Sequence, residues 1–101
     1  MRRKNIRLRK SQKKFVDDSS LHLSKLVRNA IDKAIAGERS YPTGSSRRTH
    51  SEEFERTTIL INEAHEDFLQ QENINFSQFI DDIIQERIEF ERKLNRLDKG
   101  R

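Results

Sequence analysis

The chain has 101 residues, no cysteine, 38% charged side chains and a formal net charge of +4. That length fits one domain or two very small ones, and a hydrophobic share of 32% leaves room only for a small core. The missing cysteines exclude disulfide scaffolds, zinc–thiolate sites and thiol nucleophiles, and no apolar run suits a signal peptide or a bilayer span, so a cytoplasmic protein that is not secreted is expected.

In chain order, the N-terminus opens with Arg2-Arg3-Lys4, a basic arm that reads either as a solvated terminus or as a contact to an anion. Ile6-Arg7-Leu8-Arg9 alternates apolar and polar, which predicts a half-buried strand over 6–9. Ser11 stands where it can cap a short helix that turns Phe15 and Val16 inward, and the polar stretch 17–20 ends it. Ser24 precedes apolar pairs at 26/27, 30/31 and 34/35, which predicts a second helix with Ser24 as its N-cap and Gly37 as its C-terminal cap. Residues 38–55, with the only proline, read as a linker.

A second strand is expected over 58–62, with Ile59 and Ile61 on one face and Asn62 able to cap the next helix. That helix carries Phe68 and Leu69, and the polar run 70–73 ends it. Ser77 is placed as the N-cap of the last helix, whose apolar pairs at 79/80 and 83/84 are followed by Ile88. The same period continues through Phe90, Leu94 and Leu97, giving a helix of about twenty residues. Those three residues form a stripe that either folds back on the core or serves self-association.

The two series are one pattern used twice. Shifting the chain by 53 residues aligns 5–35 with 58–88 without a gap, and eleven of the twelve apolar positions in the first segment meet an apolar residue in the second. Each segment is too short to bury a core of its own, and its strand would be a bare edge. Two together solve both problems. The expected fold is therefore mainly α, with the two short strands forming one antiparallel intramolecular ribbon and four helices packed on it. Its parts are a basic first unit (1–37), the linker (38–55) and an acidic second unit (56–101). Residues 1–35 hold 11 basic and 3 acidic groups, whereas 56–90 hold 2 basic and 8 acidic ones.

Strand, short helix, polar turn, apolar residue, serine and helix resembles the ribbon-helix-helix superfamily of DNA-binding proteins. LHLSKLVRNAIDKAI (21–35) and INFSQFIDDIIQERI (74–88) are similar to that family's second-helix segment. Two units in one chain are similar to small transcription regulators of viruses of hyperthermophilic archaea. The resemblance implies a sequence-specific regulator whose ribbon enters the major groove of double-stranded DNA, a groove that admits a two-stranded ribbon and distinguishes every base pair. With the isoleucines and Leu8 inward, alternation aims Asn5, Arg7, Arg9, Thr58, Leu60 and Asn62 at the bases. Leu60 reads equally as packing against a neighbour. Flanking phosphates would be met at the second-helix N-termini, Ser24-Lys25 and Ser77-Gln78, and by Arg2, Arg3, Lys4 and Lys10.

Nothing in the sequence calls for catalysis or a cofactor. His22, His50 and His65 have no recognised spacing and read as surface residues, and the adjacent carboxylates Asp17/Asp18 and Asp81/Asp82 diverge on a helix. The alternative reading is an antitoxin-like or adaptor module that captures a protein through its acidic segment or its tail.

Overall fold

The structure is a computed structural model that describes residues 1–19, 21–44 and 53–99. Six elements follow in order: β1 (Arg2–Arg9), α1 (Lys10–Asp18), α2 (Leu23–Ile35), β2 (Phe54–Ile61), α3 (Glu63–Gln71) and α4 (Phe76–Lys99). The two strands pair antiparallel within the chain, from Arg2 opposite Ile61 to Arg9 opposite Phe54.

Both strands are longer than expected. Arg2, Arg3 and Lys4 belong to β1 and are not a separate arm, and β2 begins at Phe54, inside the stretch 38–55 read as linker. The reason is non-local. These strand ends lack an apolar alternation of their own, and what orders them is the ladder partner on the other strand.

The inner face of the ribbon carries Ile6, Leu8, Ile59 and Ile61, all buried, and the helices close over it with Val16, Leu23, Val27, Ile31, Leu69, Phe79, Ile80 and Ile84. Each such side chain is worth about 1.5–3 kcal/mol when removed from water, so this cluster is the main source of stability. The helices cross over between the halves: α1 packs on α4, and α3 packs on α2.

Helix ends follow the expected chemistry in part. Gly37 has φ 77°, and the bonds Gly37 N–H to Ala34 O and Glu38 N–H to Lys33 O close α2 in a Schellman turn. Asn73, at φ 49°, closes α3 the same way through Ile74 N–H to Leu69 O. Asn62 caps α3, its Oδ1 accepting the His65 N–H at 2.8 Å. Ser11 lies inside the first turn of α1, and Arg9 holds the N-cap position. The serine caps are corrected too. Helices α2 and α4 start two residues earlier than expected, at Leu23 and Phe76, so Ser24 and Ser77 are already helical. His22 takes the N-cap position of α2, and Asn75 Oδ1 accepts the Gln78 N–H at the start of α4.

The stretch from Glu38 to Gly44 packs against α3 and the residues that lead into α4. Asn75 N–H donates to Pro42 O, Gly44 N–H donates to Asn73 O, and the Tyr41 ring meets Phe68 edge-on at 5.6 Å. Burial, together with the Glu72 carboxylate beside it, raises the Tyr41 phenol above its ordinary range. Arg39 from the same stretch pairs with Glu86 and lies over Phe79.

Helix α4 runs 24 residues, about 36 Å, and outlasts the core. Phe90, Leu94 and Leu97 remain 51%, 41% and 69% exposed, which overturns the reading in which they fold back. Among the described residues no helix is long and apolar enough to cross a membrane.

Candidate nucleic-acid interface

Strand alternation divides the ribbon into two rows. With Ile6, Leu8, Ile59 and Ile61 inward, the opposite row consists of a strand-end pair, Arg9 opposite Phe54, and three rungs: Arg3 opposite Leu60, Asn5 opposite Thr58, and Arg7 opposite Arg56. All six rung residues are exposed, and none is acidic. Asn5, Arg7, Thr58 and Leu60 stand where the sequence placed them. Arg3, expected as a phosphate contact, lies in the outward row itself. Arg56 was missed because the second strand was expected to start at 58. The signal was present, since the 53-residue offset carries Arg3 onto Arg56.

Two expected base readers are engaged elsewhere. Arg9 has the outward parity, but α1 begins at the next residue and turns the chain. Its Nε donates to Asp81 Oδ1 at 2.9 Å, and its Nη2 donates to Asp81 Oδ2 at 3.4 Å and Gln85 Oε1 at 3.0 Å. Gln12, fully buried, donates to the same Asp81 carboxylate at 3.1 Å and accepts the Arg9 backbone N–H. Arg9 is thus part of a semi-buried polar cluster between α1 and α4. Asn62 is committed to its helix cap.

The flanks of the ribbon differ. Beside β2, Ser24 Oγ accepts the Leu60 N–H at 3.0 Å, and Arg28 Nη1 donates to the Leu60 carbonyl at 3.0 Å. The backbone groups that a ribbon edge would leave bare at this residue are satisfied by α2. A shallow groove there is lined by Lys13, His22, Ser24, Lys25, Arg28, Thr57 and Thr58, with Asp17 tied to Lys13. Lys25 is exposed within it. Beside β1, the start of α4 offers Ser77, which is exposed, and Gln78, whose side chain donates to Asp82 at 2.8 Å. Lys4 Nζ lies 5.3 Å from the Phe76 ring centroid, a cation–π contact that turns it toward α4. Arg2 faces Glu63 and Glu66 at 3.6 and 3.2 Å, and Lys10 is exposed at the start of α1.

His65 is not a surface residue. It is 4% exposed, with Nε2 2.6 Å from Asp32 Oδ1, tying α3 to α2, and its buried Nδ1 has no partner among the described residues. His22 is exposed, and His50 lies outside the described residues. Among the described residues no group of three His, Cys, Asp or Glu is disposed to hold a metal ion.

No family model, curated protein or solved structure matches this chain.

Proposed function

We propose that the chain is a tandem ribbon-helix-helix protein, a sequence-specific transcription regulator that lays its ribbon in the major groove of double-stranded DNA. The observation that carries this reading is the outward row. A strand pair has sealed one face with isoleucine and leucine and set three arginines, an asparagine and a threonine on the other, with no carboxylate among them. Arginine pairs bidentately with guanine, asparagine with adenine, and an apolar side chain touches the thymine methyl. The groove at the start of α2, with Lys13, Lys25 and Arg28, supplies attraction to the flanking phosphate backbone.

The exposed stripe Phe90, Leu94 and Leu97 supports a second element of the proposal, self-association of chains through α4 along the DNA. An unbiased selection from random duplexes with the purified protein tests the central reading. An enriched motif is the expected result. Salt-sensitive binding without any motif points to a non-specific architectural protein, and absence of binding removes DNA as the partner.

A further inference from the structure

The three outward rungs are not equivalent under the 53-residue repeat. That offset relates Arg3 to Arg56, Asn5 to Thr58, and Arg7 to Leu60. Because Asn5 and Thr58 face each other, a half-turn about the middle rung exchanges the two ends of the row. It carries Arg3 onto Arg56, like onto like. It also carries Arg7 onto Leu60, a five-donor cation onto a hydrocarbon. One end of the row is therefore Arg7 with Arg56, and the other is Arg3 with Leu60.

The surroundings sharpen the difference. The Leu60 end lies against the start of α2, where Lys25 and Arg28 flank it and Ser24 fixes its backbone. The Arg7 end lies along α4, whose first turns meet β1 through Lys4 on Phe76 and Arg9 on Asp81 and carry the carboxylate of Asp82. The end with two base-reading arginines thus lies beside the start of α4 and its Asp82, and the end with one lies beside Lys25 and Arg28 of α2.

We infer that the ribbon reads a lopsided operator and binds it in one orientation. The inference rests on the regulator reading above. One half-site presents guanines to Arg7 and Arg56 on neighbouring base pairs. The other presents a guanine to Arg3 and a thymine methyl to Leu60, and it is held more by phosphate contacts at α2. Arg7 and Arg56 stand directly opposite each other, and like charges in that position repel, which favours the electronegative O6/N7 edge of guanine as their ligand. A protein made of two identical chains meets a palindrome with two identical faces. This chain does not.

The test is selection from random duplexes with the full chain, followed by titration of three DNAs: the selected site and the two palindromes made by doubling either half. The expected motif is non-palindromic, and the selected site is bound roughly tenfold more tightly than either palindrome, the scale of one good base contact. Leu60→Arg, at an exposed position whose backbone bonds to Ser24 and Arg28 do not involve the side chain, shifts the selected motif toward a palindrome by gaining a guanine in the thymine half. Leu60→Gln, checked for native circular dichroism, loses the thymine preference without that gain. A palindromic motif from the unaltered chain overturns the inference and leaves the regulator reading intact. Selection of no motif overturns both.

Discussion

The hydroxyl of Thr58 donates to the amide oxygen of Asn5 at 3.0 Å across the ribbon, and the two residues are separated by the same 53 positions that superimpose the two halves of the sequence. The middle rung is thus where each half meets its own counterpart. It fixes the register of the whole ladder, because a one-residue slip would turn Ile59 and Ile61 out to solvent.

That rung gives the first prediction. Leu60, two residues on, directs its N–H and carbonyl out of the ribbon to Ser24 and Arg28, so Thr58 and Asn5 form a non-hydrogen-bonded pair with Cα atoms about 4.5 Å apart. That separation accepts a disulfide. In the otherwise cysteine-free chain, the double variant Asn5→Cys/Thr58→Cys should oxidise to a species that remains monomeric on non-reducing gels. Covalent dimers as the main product would mean that the ribbon forms between chains.

Arg9 and Arg7, two residues apart, are tested by different readouts. Arg9→Ala takes the guanidinium from the Asp81 carboxylate, which keeps Gln12 beside it and is 7% exposed in its side chain, and should cost about 3 kcal/mol in urea unfolding. Arg7→Ala should relax one position of the DNA motif at a cost of about 1–3 kcal/mol, and a motif unchanged by it would remove Arg7 from the reading face.

Lys25→Ala should weaken binding to all DNA sequences alike. The slope of log K against log salt should fall by about 1, the signature of one lost phosphate contact. A changed motif with an unchanged slope would make Lys25 a base reader.

For the stripe on α4, Leu94→Glu and Leu97→Glu alter exposed positions and should leave the fold intact. Sedimentation should show the unaltered chain associating as concentration rises and these variants remaining monomeric, with cooperative filling of adjacent DNA sites lost in parallel. A chain that stays monomeric and fills sites independently would end this part of the proposal.

What could be read from the sequence was what the local pattern determines. Alternation at Ile6/Leu8 and Ile59/Ile61 identified the buried face, and Gly37 and Asn62 marked helix ends because their backbone and side-chain chemistry is local. The failures have non-local causes. Arg2–Lys4 and Phe54–Thr57 are extended only because each has a ladder partner 45 or more residues away. Arg9 keeps the parity of an outward residue, yet an acidic partner 72 positions on draws it to α4. Ser24 reads as a cap because local pattern leaves a helix start uncertain by two residues, and those two residues move its hydroxyl from its own helix to the backbone of Leu60.

The polar pairs that cross between the halves carry a consequence for mating. Arg9 meets Asp81, and His65 meets Asp32, so each half supplies an acid to the other. At the 53-residue offset the counterpart of Asp81 is Arg28, and that of Asp32 is Gln85. Two copies of the first half would therefore set Arg9 against an arginine, and two copies of the second would leave Asp81 facing Asn62. Severed between Gly44 and Glu53, the fragments would recognise each other and refuse themselves, a self-incompatible pair whose two members are worth having only on the same string.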